Sequence, residues 1–126
     1  MPGSRRIHRV NDLIQEVANE VMRQVKDPAV EGALITITSV NVSPDMSSAR
    51  LYVTVMGKPV AEVVEGLNRA SGFFRREITR QVSLKRVPSL QFLYDDTLDH
   101  AMKVQKLLHE ASLQPTQPDE ETQEES

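Results

Sequence analysis

PVAEVVEGLNRASGFFRREITRQVS, residues 59–83, is the stretch on which the fold turns. Val60, Val63, Val64 and Leu67 recur at helical spacing, and the pattern resumes at Phe74, Ile78 and Val82. One uninterrupted helix would carry Gly72 on its buried side, where glycine costs roughly 1 kcal/mol against alanine, and Gly-Ser pairs are frequent kink points. Ala70-Ser71-Gly72 is therefore read as a sharp bend joining two helices.

Upstream of that pair lies a β-hairpin. Residues 33–42 are dense in β-branched side chains, and 49–56 alternate cleanly, with Leu51, Val53 and Val55 on one face. Ser43-Pro44-Asp45-Met46 supplies the turn, since proline presets its first central residue. Apolar parity switches between Ile37 and Val40, which predicts a bulge near Thr38 or Ser39. Gly57-Lys58 lacks the further glycines and the Ser/Thr of a phosphate loop, so it is a turn.

The first helix is marked by Val10, Leu13, Ile14, Val17, Ala18, Val21, Met22 and Val25. Ser4 is its expected cap, and Asp27-Pro28 its expected end. Downstream, Pro88 precedes a strand over residues 90–94, and Asp95-Asp96 leads into a last helix with Leu98, Ala101, Met102, Leu107 and Leu108 as its apolar positions. The order is α-β-β-α-α-β followed by a C-terminal helix: an α+β domain with a small sheet covered by helices.

The 126 residues make one domain the expectation, over residues 1–113. Residues 114–126 hold Pro115, Pro118 and five acids (Asp119, Glu120, Glu121, Glu124, Glu125) with no apolar residue, and read as a disordered acidic tail. The formal net charge of −3 at first disfavours a nucleic-acid partner. Without the tail, 13 acids face 15 bases, so the body is about +2.

With no cysteine, disulfides, thiolate zinc sites and cysteine nucleophiles are excluded. No apolar run follows the first residues as in a signal peptide, and none approaches the ~18 residues of a membrane span, so a soluble cytoplasmic protein is expected. His8, His100 and His109 lie near helix ends among polar neighbours, as solvated histidines do. Asp95, Asp96, Asp99 and His100 match no metal spacing and suit a helix N-terminus instead. Neither a catalytic constellation, a metal nor a cofactor is expected.

Positive charge is concentrated in two places. Arg69, Arg75, Arg76, Arg80, Lys85 and Arg86 oppose only Glu77 within residues 69–86, and Arg5, Arg6 and Arg9 open the first helix. Arg76 and Arg80 repel at four-residue spacing, and cations at a helix N-terminus oppose its dipole by about 0.3–1 kcal/mol each. A polyanionic ligand explains both arrangements. Of five aromatic residues, Phe73, Phe74 and Phe92 are expected in the core and Tyr52 on the other strand face, so no base-stacking platform remains. Phosphate contact and shape recognition are what the chain can offer.

Several strings carry a family likeness: Arg6-Ile7-His8-Arg9-Val10-Asn11, Lys26-Asp27-Pro28, Ile35-Thr36-Ile37-Thr38-Ser39-Val40, Val42-Ser43-Pro44-Asp45-Met46-Ser47, Ala49-Arg50-Leu51-Tyr52-Val53, Ala70-Ser71-Gly72 and Val87-Pro88-Ser89-Leu90-Gln91-Phe92. Over residues 5–111 the chain resembles the ribosome-binding factor A family of bacterial small-subunit assembly factors. The resemblance implies a type II KH-like domain whose interhelical Ala-x-Gly, here Ala70 to Gly72, replaces the usual Gly-x-x-Gly clamp. It implies a non-enzymatic factor that binds the immature small (30S) ribosomal subunit and supports 16S rRNA maturation and processing. A role in cold adaptation, action beside assembly GTPases, and binding to free subunits rather than complete ribosomes go with it.

A monomer with no membrane contact is expected. The expected RNA-contacting residues are Arg5, Arg6, His8, Arg9, Arg69, Ser71, Arg75, Arg76, Arg80, Lys85 and Arg86, with Ala70 and Gly72 forming the bend. Two other classes compete. Residues 67–83 can be read as a helix-turn-helix of a DNA-binding regulator, although Phe73 and Phe74 would occupy base-reading positions. The acidic tail can instead be read as the binding element of a protein adapter.

Overall fold

A computed structural model describes residues 2–113; the acidic tail expected at 114–126 lies outside the described residues. The elements follow in the order α1 (Pro2–Val21), β1 (Leu34–Val42), β2 (Ser48–Met56), α2 (Val60–Arg69), α3 (Ser71–Gln81), β3 (Ser89–Tyr94) and α4 (Thr97–Leu113). This is the α+β order read from the sequence. The three strands form one mixed sheet, β1-β2-β3, with β1 antiparallel and β3 parallel to β2.

One face of the sheet is buried. Ile37, Val40, Leu51, Val53 and Phe92 meet Ile14, Val21, Val63, Leu67, Phe74 and Ile78 from the helices in a single core. Phe74 and Phe92 pack at 4.9 Å between ring centroids, and Phe73 stands edge-on to Phe74 at 5.8 Å. The bulge falls where parity placed it: the β1/β2 register slips between Ile37 and Ser39, so Thr38 is the extra residue and Val40 turns inward. The Thr38 hydroxyl donates to Asp95 Oδ2 at 2.6 Å.

Both outer edges of the sheet are sealed by asparagine amides. On β1, Asn19 Oδ1 accepts from the Ile37 N–H at 2.9 Å and its Nδ2 donates to the Ile37 carbonyl at 3.1 Å. Asn11, two turns earlier on α1, accepts from the Val42 N–H at 2.9 Å. On β3, Asn68 of α2 makes the same double contact with Phe92, at 2.8 and 3.0 Å. Each amide copies the donor–acceptor pair that a further strand would present.

Three boundaries differ from the sequence reading. α1 begins at Pro2, so Ser4 lies within the helix and not at the cap position expected. Its α-helical part ends at Val21 and tightens into a 3-10 turn, Met22–Gln24, well before Asp27-Pro28. Val21, Met22 and Val25 are all buried, so the helical spacing of apolar residues persists past the helix itself. Asp27 instead organises a turn, in which its carboxylate accepts from the Ala29 N–H and its carbonyl from those of Val30 and Glu31. The helix break falls at Ala70 alone: Gly72 sits in the first turn of α3, exposed, with nothing within 4 Å of an added Cβ.

The glycine on the buried side is Gly66, on which a Cβ would meet Val30 Cγ2 at 2.7 Å and Asp27 Oδ1 at 3.0 Å. Gly57, at φ +94°, turns the chain out of β2, and Lys58 Nζ donates to the Pro28 carbonyl at 2.7 Å.

Among the described residues the chain forms two compact units, divided after Asp95. α4 belongs to the second unit. Its expected core positions are exposed: Leu98, Met102, Leu107 and Leu108 retain 56–66% of their accessible surface. Helical spacing announces a helix without saying what covers it.

Two stability outcomes follow from these contacts. Asn68→Ala strips both partners from Phe92 and is expected to lower unfolding free energy by about 1–3 kcal/mol, with faster hydrogen exchange at the Phe92 amide; unchanged exchange there would refute the edge seal. Gly66→Ala is expected to destabilise by about 1–3 kcal/mol in denaturant titration despite alanine's better helix propensity. A more stable alanine variant would show that the 27–30 turn yields freely.

Candidate nucleic-acid interface

The two basic clusters, some 75 residues apart in sequence, meet in one cleft. α1 places Arg6 and Arg9 on one wall. The loop from α3 to β3 places Lys85 and Arg86 on the other, and Pro44, Asp45 and Met46 of the hairpin turn complete it. The cleft holds about 770 Å³. Its floor is apolar: Val10 and Val82 are buried, while Ile7, Leu13, Met46 and Leu84 are half-buried. All four bases are exposed and make no hydrogen bond or ion pair among the described residues.

Helix packing explains the juxtaposition. α1 crosses α3, burying Val10 and Ile14 beside Ile78 and Val82 in one cluster. The first turns of α1 are thereby brought to the C-terminal end of α3. Because α1 starts at Pro2, Arg6 and Arg9 lie past its first turn, and the dipole penalty expected there does not reach them. Arg5 and His8 are exposed on α1 outside the cleft lining.

The hairpin turn is closed by hydrogen bonds within itself. Asp45 Oδ1 accepts from the Ser47 hydroxyl at 2.7 Å, the Ser43 hydroxyl at 2.8 Å and the Ser47 N–H at 3.0 Å. These bonds hold the Asp45 carboxyl down from 3.8 to about 2. Met46 adopts φ +62°, unusual for a side-chain-bearing residue, and directs its half-buried side chain toward the core.

The other expected contact residues divide by what they already hold. The Arg69 guanidinium reaches both oxygens of Asp27, at 3.0 and 3.1 Å. That contact, with the Ala29 N–H, keeps the Asp27 carboxyl below its ordinary value. Arg75 donates from Nε and a terminal nitrogen to the Val87 carbonyl, at 3.2 and 2.9 Å, and so pins the loop that carries Lys85 and Arg86. Arg80 pairs with Glu77 at 2.7 Å on an exposed surface, where such a pair contributes little, and this relieves its repulsion from Arg76. Arg76 has no partner among the described residues and lines a shallow recess of about 390 Å³ on α3 with Gly72, Arg75, Thr79 and Arg80. Ser71 is half-buried at the start of α3 and lines neither recess.

Sequence reasoning missed Asp45 and Met46 as parts of the site, reading 43–46 only as a turn. It also missed Leu84, whose apolar character between Ser83 and Lys85 is the signal available in the sequence. Among the described residues no group of three or more His, Asp or Glu is placed to hold a metal ion, and no helix is long and apolar enough to cross a membrane.

With this geometry in hand, the likenesses are specific. The family profile described as Ribosome-binding factor A matches residues 6–108. Ribosome-binding factor A of Methylobacillus flagellatus is 39% identical over 120 residues, covering 94% of each chain. That of Acinetobacter baylyi is 42% identical over 107 residues, covering 77% of this chain and 80% of the relative. Among solved structures, the NMR structure of a Thermotoga maritima putative ribosome binding factor A aligns with TM-score 0.61 at 34% identity, over 70% of this chain and 85% of that one. A Thermus thermophilus ribosome binding factor A homology model, fitted into the cryo-EM map of a 30S complex, aligns with TM-score 0.58 at 25% identity, over 68% and 90%.

The Asp45 cluster makes a pH-dependent contribution with a definite sign. Its carboxyl is depressed in the folded chain, so the stabilisation is full above the unfolded value near 4 and is lost as pH falls through about 2. The stability advantage of the native chain over Asp45→Asn is therefore expected to shrink as pH is lowered from about 5 to about 2. Parallel denaturation curves check this; a gap that stays constant across the range contradicts it.

Proposed function

The chain belongs to the ribosome-binding factor A family, and on that premise we propose that it binds the small ribosomal subunit through phosphate contacts to 16S rRNA and supports that RNA's maturation and processing without catalysing a reaction. The cleft carries this reading. Four exposed bases from opposite ends of the body converge there, and none is bonded among the described residues. Arg5 and Arg76 are likewise exposed and unpaired among the described residues. A polyanion is the ligand that such a surface recognises.

Arg69 and Arg75 leave the contact set in this reading and become supports of the fold, because their guanidiniums are already bonded to Asp27 and Val87. The fitted relative in a 30S complex supports the small subunit as the partner. Free subunits as the target, action beside assembly GTPases, a part in cold adaptation, a monomeric state and a cytoplasmic location complete the proposal on the family likeness. The helix-turn-helix reading is disfavoured by Phe74, fully buried, and Phe73, packed edge-on against it, where a recognition helix presents polar base-reading groups. Co-sedimentation with free small subunits and not with complete ribosomes tests the partner; sequence-specific duplex DNA binding would favour the regulator.

Arg5, Arg6, Arg9, Arg76, Lys85 and Arg86 are six cations available to phosphate. Affinity for small subunits is expected to fall with salt at a log–log slope of about −5, and replacing Arg6, Arg9, Lys85 and Arg86 by glutamine is expected to flatten it by about 3–4. Arg69→Gln is expected to lower thermal stability and leave the slope in place. Salt-titrated binding curves decide this: a slope near zero for the native chain removes the phosphate contacts from the account.

A further inference from the structure

We propose that the cleft between α1, the hairpin turn and the α3–β3 loop takes one unpaired RNA nucleotide, its base lying on the apolar floor and its Watson–Crick N–H groups facing Asp45. This rests on the reading of the protein as an RNA binder and says what part of the RNA its basic surface seeks.

Three features of the cleft coincide. The rim is cationic through Arg6, Arg9, Lys85 and Arg86, which suits the phosphates on either side of a nucleotide. The floor is aliphatic, and the volume of about 770 Å³ lies within the ~300–1,000 Å³ of pockets that enclose small molecules. A cleft that bound phosphate alone would have no use for an apolar floor.

The third feature is an anion among the cations. The three bonds from Ser43 and Ser47 all fall on Asp45 Oδ1 and none of them occupies Oδ2, at which the exposed carboxylate can accept from a ligand. A fixed carboxylate in a phosphate site is repulsive unless the ligand brings N–H donors beside its phosphates. A nucleobase does so, and guanine offers two adjacent donors on its Watson–Crick edge. An acidic peptide would match the rim and the floor and find the carboxylate opposed to it. The five-residue connection, 43–47, that carries Asp45 is tied to β3 by the Ser89 N–H, which bonds the Ser47 carbonyl at 3.0 Å, so the acceptor is held in place before binding.

The absence of a stacking aromatic from the lining favours a base that is already unpaired, in a bulge or junction, over one that must be pulled from a duplex.

The test uses the full chain and two RNA hairpins that differ by a single bulged guanosine, titrated by fluorescence anisotropy at fixed salt. The bulged hairpin is expected to bind about tenfold tighter, and inosine at the bulge, which lacks the exocyclic amine, is expected to lose most of that gain. Ser83→Trp, at an exposed position of the cleft lining, is expected to abolish the preference by filling the space. Equal affinity for both hairpins, with the steep salt slope retained, overturns the nucleotide site and leaves RNA binding standing. A bulge preference that survives Ser83→Trp also overturns it, because the base is then held elsewhere. Loss of all hairpin binding at low salt overturns the RNA reading along with it.

Discussion

A three-stranded sheet has two edges, and a small domain built on one must satisfy or cover both. Here each edge is closed by a helix that lends an asparagine amide to the strand: Asn19 to Ile37 on β1 and Asn68 to Phe92 on β3. The rest of the structure depends on this pairing. It sets the height of α1 along β1, with Asn11 on Val42 as a second point of registration, and the height of α2 along β3. Once α1 is fixed in that register, Val10 and Ile14 enter the core beside α3, and Arg6 and Arg9 stand over the loop that bears Lys85 and Arg86. The basic cleft is thus a consequence of how an edge strand is finished.

The same closure accounts for a core this small holding together. Most of the apolar burial is by aliphatic side chains, with Phe74 and Phe92 the two aromatic rings fully buried. Phe92 faces the core while its backbone is bonded to Asn68, one turn and a half before Phe74 along the helix pair. Side-chain packing and edge satisfaction act on the same residue, so a shift in one disturbs the other. Gly66 belongs to this arrangement as well: with no side chain there, α2 approaches the 27–30 turn closely enough for Arg69 to reach Asp27.

Element types and order were legible in the sequence because they rest on local periodicity. The bulge at Thr38 and the two strands of the hairpin leave a signature in apolar spacing, and the split of 59–83 into two helices leaves one in Ala70-Ser71-Gly72. Element ends were less so. The apolar spacing of Val21, Met22 and Val25 is the same whether the residues continue a helix or line a turn leading back to the core, and only tertiary packing distinguishes the two. Gly66 and Gly72 illustrate the same limit: one presses against Val30 and the other faces open space, yet nothing in the neighbouring residues says which. For α4, spacing foretold a helix but could not name its covering, and Leu98, Leu107 and Leu108 are exposed.

The site shows a sharper version of that limit. Charge sign is visible in a sequence, whereas whether a charge is already occupied is not. Arg69, Arg75 and Arg76 look alike in the run from 69 to 86, but one is held by Asp27, one by the Val87 carbonyl and one by nothing among the described residues. The reason lies in the one-residue connection at Ala70. A longer loop between α2 and α3 would carry its own backbone donors to a ligand, as phosphate-binding loops do. With Ala70 alone outside helical geometry, its N–H already bonds the Gly66 and Leu67 carbonyls, and the Phe73 and Phe74 N–H groups bond the Ala70 carbonyl. Ala70 itself therefore has no free N–H to offer. The place where unoccupied cationic side chains converge is the far end of α3, where Arg75 fixes the loop and α1 supplies the opposite wall.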